Sequence, residues 1–518
     1  MSYPFNSFYE FLEAQVDKRG SKTALFVDKE KISYRDIKNY ADKLAGFLAD
    51  KDVKEGDKVA LFVRNSVEFI YSIFAISKIG GVVVPINTFL KDEELSYILE
   101  DSGASVLIAS QIYDKVVNES KASSLCKFIV WEGDEKAKGK KPQDKKHHLL
   151  TDIMSTDKSV EKSKRGLEDT AVIFYTSGTT GKPKGAMLSN KNILSNTEAG
   201  KRVIDVSPKD RTIVFLPMFH SFTFSIAVLM PLYVGASIVI IKSLQPFSNV
   251  FRQTLIKRVT IFIGIPSVYN ALAKAKLPWY FLWFNSIRAF VSGAAALQPK
   301  TLDAMSDRFK RAKLLEGYGL SESSPAVCMN RLSKQKQGSV GMALHDYEMK
   351  IVDSELNEVA RGKVGDIILK GDNIMQGYLN APDVTEETII NGWLLTGDMG
   401  YMDDEDFLYI VDRKKDLIIS KGINIYPREI EEMIDLFEGV SVSAVIGIPD
   451  ENSGEAPIAY IELEEGVERV DEVALKKYLR QHLANYKIPK QIHTIEELPK
   501  NATGKVLKRV LKDILRKK

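Results

Sequence analysis

Short Val/Ile-rich runs alternate with longer helix-patterned stretches over most of this chain, and no other feature narrows its fold as much. Lys58 to Val63, Gly81 to Pro85, Ala104 to Ile108, Ala171 to Tyr175, Arg211 to Pro217 and Ile261 to Gly264 all read as strands. Strands covered by helices on both faces are apolar throughout, which is the mark of a parallel sheet. The expectation is an α/β protein with a large N-terminal domain of parallel-rich sheets layered with helices. The chain has 518 residues, which is more than one ordinary domain holds. It can bury most of its apolar surface without covalent staples.

Near residue 411 the character changes. Asp412-Arg413-Lys414-Lys415-Asp416 is a charge cluster between two apolar runs. Residues 412–416 are the expected hinge between a large domain over 1–411 and a small, mobile α+β domain over 417–518. In the latter, Pro427 opens a helix with Ile430, Met433, Ile434 and Phe437 on one face, and Gly439 closes it. Strand patterns at Val442 to Ile448 and Ile458 to Leu463 follow, then a helix around Val473 to Leu483 and a basic C-terminal helix. About a hundred residues suffice for a separate domain.

Composition excludes several classes. Cys126 and Cys328 are the only cysteines, so there is neither a disulfide framework nor a Cys-rich zinc site. A formal net charge of +3 gives no case for a nucleic-acid partner. Residues 1–20 carry acids early and no uninterrupted apolar core. They read as an amphipathic helix burying Phe5, Phe8, Phe11 and Leu12, and not as a signal peptide. Phe219 to Ile241 lacks Asp, Glu, Lys and Arg and is long enough to cross a bilayer. Polar residues from His220 to Ser225 open it, Pro231 interrupts it, and Val234-Gly235-Ala236-Ser237 reads as a turn. A buried helix followed by the strand Ser237 to Ile241 is therefore expected. Glu132 to Lys164, rich in Lys, Asp and Ser, reads as a solvated loop.

The most informative segment is Tyr175-Thr176-Ser177-Gly178-Thr179-Thr180-Gly181-Lys182-Pro183-Lys184-Gly185, directly after an apolar strand. Glycines let consecutive backbone N–H groups turn toward one anion. Hydroxyls add neutral donors, and the lysines supply the positive charge that a triphosphate demands. It is not a Walker loop, since no Gly-Lys-Ser/Thr stands at the required spacing. Gly317-Tyr318-Gly319 likewise lacks the third glycine of a dinucleotide fingerprint.

This segment resembles the phosphate-loop signature of the adenylate-forming superfamily, which contains acyl-CoA synthetases, firefly-type luciferases and peptide-synthetase adenylation domains. The resemblance implies ATP binding by Thr176, Ser177, Gly178, Thr179, Thr180, Gly181, Lys182 and Lys184. Glu316-Gly317-Tyr318-Gly319-Leu320-Ser321-Glu322-Ser323 resembles the second core motif. There Tyr318 offers a flat face for adenine, with Glu316, Gly317 and Gly319 beside it, and Ser321 supplies a hydroxyl for the α-phosphate. Glu322 is a hard oxygen ligand suited to Mg²⁺. Gly293, Ala294 and Ala295 resemble the turn beside adenine and the acyl pocket. Leu216-Pro217-Met218-Phe219-His220 resembles the segment that closes the acyl site, with His220 acting by position and not as a general base.

The family's later motifs follow in order. Asp398, at the end of Trp393-Leu394-Leu395-Thr396-Gly397-Asp398, can accept two hydrogen bonds from ribose hydroxyls. Arg413 would add a second ribose contact and Ile410 would pack on the nucleotide. The run from Asn391 to Lys415 resembles the signature of the fatty-acyl-CoA synthetase branch. By the same resemblance Lys415 is the pivot of the small domain, and Lys421-Gly422 is the loop that serves the second half-reaction and the CoA side. Pro499-Lys500-Asn501-Ala502-Thr503-Gly504-Lys505 matches the last core motif, with Lys505 as catalytic lysine. Lys505, Thr176, Glu322 and Lys421 are thus the expected catalytic set.

The implied reaction uses ATP, Mg²⁺ and coenzyme A. A carboxylate is a poor electrophile because its leaving group would be oxide, and attack on ATP converts it to a mixed anhydride whose leaving group is AMP. Catalysis then rests on positioning and charge stabilisation. The branch signature and the Phe, Met and Leu density from Phe215 to Leu232 favour a medium- or long-chain fatty acid. An aryl-CoA ligase of the coumarate type, an acyl-AMP ligase delivering to acyl-carrier protein, and a luciferase-like oxygenase are the alternatives. The expected protein is cytoplasmic, a monomer or homodimer. A fatty substrate makes transient or peripheral membrane contact reasonable.

Overall fold

The computed structural model describes residues 3–133, 146–176, 182–242, 246–293, 297–420, 423–450, 454–501 and 504–516. Among these, nine strands form one sheet in the order Met342–Ala343, Ala326–Met329, Lys313–Gly319, Ala289–Ser292, Ile261–Gly264, Arg211–Val214, Ser237–Ile240, Thr23–Val27 and Glu30–Ser33. Its interior pairings are parallel, and antiparallel strands lie only toward the two edges. A second sheet has eight strands among the described residues: Gly377–Tyr378, Lys184–Ser189, Thr170–Thr176, Val82–Pro85, Lys58–Phe62, Val106–Ser110, Phe128–Glu132 and His147–Leu149. It is parallel from Thr170–Thr176 onward and antiparallel across the hairpin to Lys184–Ser189.

Helices fill the space around these sheets. Ser7 caps the helix Phe8–Arg19 through the Glu10 N–H, and the helix buries Phe8, Phe11 and Leu12. Phe5 stands just before that helix, half-buried. The apolar stretch after His220 is a π-helix, Thr223–Leu229, continued by Met230–Val234 and stopped by Gly235 at φ +82°. The strand Ser237–Ile240 follows. No helix among the described residues is long and apolar enough to cross a membrane.

The two large sheets are parallel-rich, as expected, and the chain adds an antiparallel sheet of Glu348–Val352, Gly365–Lys370, Ile389–Ile390, Trp393–Met402 and Leu408–Arg413. The reason is connection length. Asn391 and Gly392, at φ +52° and +79°, turn the chain too tightly for a crossover helix. One expectation needs correction: the segment 132–164 is not simply a solvated loop. Glu132 ends a buried strand, and His147–Leu149 and Leu150–Met154 are a strand and a short helix. Residues 134–145 lie outside the described set.

Beyond Leu417 the chain builds a smaller sheet, in which Val440–Asp450 and Gly454–Leu463 are the long strands. It carries its own apolar clusters, one with Ile430, Ile434, Val445 and Leu479 and one with Ile446, Tyr460, Leu498 and Leu511. Polar contacts across to the large part include Lys274 with Glu464 at 2.9 Å and the Gln298 amide donating to Asp435 at 2.8 Å.

Candidate active site

Strands from both large sheets end at one place. Thr176 closes Thr170–Thr176, Ser292 closes Ala289–Ser292, and Glu316 to Gly319 close Lys313–Gly319. Both sheets switch there from parallel to antiparallel pairing, and ligands of α/β sheets bind outside the carboxyl ends of strands. The phosphate-loop segment runs between two paired strands, with Thr176 opposite Lys184. Its residues Ser177, Gly178, Thr179, Thr180 and Gly181 lie outside the described set, as do Ala294, Ala295, Lys421 and Gly422.

Glu322, in the turn after Lys313–Gly319, is the junction of the two sheets. Thr176 donates to its Oε1 at 3.2 Å and Tyr378 donates to the same oxygen at 3.0 Å. Lys184 lies over the Tyr378 ring at 5.5 Å, a cation–π contact. Lys182 stands over Tyr97 at 5.3 Å. Tyr378 is a site residue that the sequence reasoning missed, and no local pattern marks it. A carboxylate held by two hydroxyls beside the phosphate hairpin fits Mg²⁺, which binds hard oxygen and completes its shell with water and phosphate.

Asp398 and Arg413 face each other across the antiparallel pair Trp393–Met402 and Leu408–Arg413. Their side chains form an ion pair at 3.0 Å, and the Asp398 side chain is only 7 % exposed. The Tyr318 hydroxyl donates to the other Asp398 oxygen at 2.7 Å. Burial and the Asp398 carboxylate push the Tyr318 phenol well above its ordinary pKa, so it stays a donor. Gly319 has to be glycine, because a Cβ there would lie 1.7 Å from the Pro325 carbonyl oxygen. Ser321 shares a hydrogen bond with Ser221 at 2.8 Å, another residue that the motif reading passed over.

Glu316 is buried, and its carboxyl is pushed up to about 7 by that burial, against the Leu297 N–H and the Arg428 charge. Arg428 also donates to the Ile410 carbonyl at 3.0 Å, and its N–H bonds Asp412. That ties the helix Pro427–Asp435 to the strand that carries Ile410 and Arg413.

Burial pulls the His220 imidazole down to about 4, so it is neutral at pH 7. Its Nδ1 accepts from the Phe222 N–H at 3.3 Å. Phe219 is buried edge-on to Phe89, and the Phe222 ring covers Gly293, where a Cβ would lie 3.1 Å from it.

Lys505 reaches this site from the C-terminal part. Its turn is closed by the Gly504 N–H to the Asn501 carbonyl and by the Asn501 side chain accepting the Lys505 N–H, both at 2.9 Å. Gly504 lies against Ile265 and Ser267 of the large part. Burial, and then the nearby Arg413 charge, pull the Lys505 ammonium down to about 8, while Asp398 and Asp416 oppose them. Lys415 is lowered in the same way, by burial and Arg413. Asp398, Arg413, Lys415 and Lys505 thus form one charged cluster where the two parts meet.

Comparison with known proteins gives the class. Residues 12–379 match the AMP-binding enzyme family and residues 429–505 match the AMP-binding enzyme C-terminal domain. The chain belongs to this adenylate-forming superfamily. It is 35% identical over 516 residues to long-chain-fatty-acid--CoA ligase of Bacillus subtilis (strain 168), covering 95% of this chain and 91% of that one. It is 32% identical to feruloyl-CoA synthase of Amycolatopsis sp over 479 residues, 92% of each chain. A solved structure of the anthranilate CoA ligase AuaEII in complex with anthranoyl-AMP superposes with TM-score 0.91 at 28% identity, covering 100% of this chain and 98% of that one. The protein is an AMP-forming acid–thiol ligase of the acyl-CoA synthetase branch, with a carboxylate, ATP and CoA as its substrates.

Proposed function

We propose that this ligase activates a medium- or long-chain fatty acid. The observation that carries the catalytic assignment is Lys505, delivered by the C-terminal part to the Asp398–Arg413 pair beside the ends of the large sheets. The substrate class is supported by the fatty-acid ligase relative and by the apolar surroundings of His220, with Phe219, Phe222 and Phe224 in packed clusters.

In the first half-reaction a carboxylate oxygen attacks the α-phosphorus of ATP, and the bond to pyrophosphate breaks. Residues 176–184 hold the phosphates through hydroxyls, backbone N–H groups and Lys184. Asp398 and Arg413 hold the ribose. Tyr318, Glu316, Gly317, Gly319 and Ile410 flank the base, and Ser321 faces the α-phosphate. Protonated Lys505 donates to oxygens whose charge grows as the reaction proceeds. Mg²⁺, held by Glu322, would neutralise phosphate charge. Neutral His220 and Phe219 close the acyl side by position.

Residues 412–416 then act as a hinge with Lys415 as pivot, between a unit over 1–411 and one over 417–518. Lys505 withdraws and Lys421-Gly422 takes its place. The CoA thiol attacks the acyl carbonyl, the C–S bond forms, the C–O bond to AMP breaks, and the thiol proton leaves to solvent.

The feruloyl and anthranilate enzymes among the matches favour a second reading, an aryl acid as substrate. AMP release with acetate, octanoate, palmitate and coumarate, with and without CoA, separates the two. AMP and thioester formed with palmitate or octanoate in a CoA-dependent way support the fatty-acid reading, and preference for coumarate overturns it. Pyrophosphate exchange without thioester moves the acyl group to another acceptor.

A further inference from the structure

We propose that the six-residue helix Trp279–Phe284 is a docking surface for an anionic lipid bilayer. On this helix Trp279 is 69 % exposed, Tyr280 47 %, Trp283 71 % and Phe284 67 %. Aromatic area left in water in this way marks an interaction site, because burying it is favourable and nothing among the described residues does so. Phe281 is the side chain that turns fully inward, with its ring centroid 5.3 Å from Phe251 and 6.4 Å from Phe309. Arg311 donates to the Leu282 and Trp283 carbonyls and so pins the helix end. The helix is thus held to the fold from one side while its other aromatic side chains face outward.

Charge identifies the occupant. Between Asp210 and Asp303 the sequence holds no Asp or Glu, yet it carries Arg252, Arg258 and Lys276, besides Lys274, which is paired with Glu464. Lys276 stands just before the helix and Lys310 beside Arg311, all three exposed. A second copy of the chain docking face to face would bring cation against cation, which opposes self-association. A negatively charged membrane suits both features. Trp and Tyr settle at headgroup level, and flanking Lys and Arg are drawn to anionic lipid. Each signal alone is weak, and the two together give usable, reversible binding.

Behind the patch, the helix packs on a cluster that also borders the proposed acyl side. Phe281 belongs to the packed cluster of Phe262, Phe290 and Leu297, and Phe222, which covers Gly293, packs against the same cluster. That docking brings the site to a membrane-dissolved acid rests on the fatty-acid reading; the docking itself does not.

The test is co-sedimentation of the full chain with phosphatidylcholine vesicles, with and without phosphatidylglycerol, beside a Trp279→Ser/Trp283→Ser variant. The wild type should bind the phosphatidylglycerol vesicles at low salt with a blue shift in Trp emission, and release by about 0.5 M salt. The variant should lose about tenfold or more in affinity. Its ATP–pyrophosphate exchange with octanoate in vesicle-free buffer should stay within about twofold of wild type, since the changed residues are on the surface. Wild type that ignores anionic vesicles, or a variant that binds them equally, overturns the proposal. So does equal binding to vesicles lacking phosphatidylglycerol, or a variant whose only change is loss of a dimer in analytical ultracentrifugation. Vesicle binding without exchange on any fatty acid would leave the docking surface standing and remove the substrate reading.

Discussion

The two sides of the nucleotide site are built in different ways. The side proposed for ribose and metal is built on strands of the large and antiparallel sheets. Asp398 is fixed by strand pairing to Arg413 and by the Tyr318 hydroxyl, while Glu322 is fixed by Thr176 and Tyr378 from the other large sheet. The Lys505 side belongs to the C-terminal part and reaches the site on a turn that touches Ile265 and Ser267. Its further polar support includes the Gln298–Asp435 and Lys274–Glu464 contacts. On the proposed two-step cycle, a lysine needed in one half-reaction only is best carried on a part that can leave, because a fixed lysine would occupy space the thiol has to enter.

Four changes would break or sharpen this contrast. The largest effect is expected from Lys505→Ala, which should slow adenylation by about 10²–10³-fold. With acyl-AMP supplied, the same variant should form thioester within about threefold of wild type. Equal loss in both steps would mean that the lysine never leaves. Asp398→Asn comes next. A lost hydrogen bond to a charged group is worth about 1.5–3 kcal/mol, so ATP and AMP should both bind about tenfold to a hundredfold more weakly by calorimetry. An effect on ATP alone would place Asp398 at the phosphates instead.

The third is a pH profile. Lys505 is held down to about 8 by burial and Arg413, so it is protonated below that value and neutral above it. Stabilisation of phosphate charge needs the protonated form. kcat/KM for ATP in pyrophosphate exchange should therefore fall about tenfold per pH unit above 8, while thioester formation from acyl-AMP lacks that limb. Neutral His220, held near 4 by burial, should add no limb between pH 6 and 8. The smallest effect belongs to Gln298→Ala, which removes the donor to Asp435, a buried carboxyl raised to about 7. One hydrogen bond of about 0.5–1.5 kcal/mol should cost adenylation a few-fold and leave the second step unchanged in rapid-quench assays.

Much of the site was readable along the chain because its motifs are local. The run from Thr176 to Lys184, the Glu316–Ser323 run and the segment from Asn501 to Lys505 each place their chemistry within a few residues of sequence. Strand periodicity was equally local, and Ile261–Gly264 occupies the same residues in the fold. The antiparallel sheet through Asp398 was missed because strand patterns do not carry direction; tight turns such as Asn391-Gly392 do.

The sequence by itself determined the residue types, their order and the chemistry of acyl-adenylate formation, since spacing within a motif is a property of the covalent chain. Only the tertiary structure decided which motifs meet. Thr176 and Glu322 are 146 residues apart, and Tyr378 joins them from a further segment, the strand Gly377–Tyr378. It also decided that Phe281 points inward while Trp279 and Trp283 remain outside. An aromatic run read as sequence is apolar on every side, and which side is covered depends on neighbours that arrive only when distant segments pack.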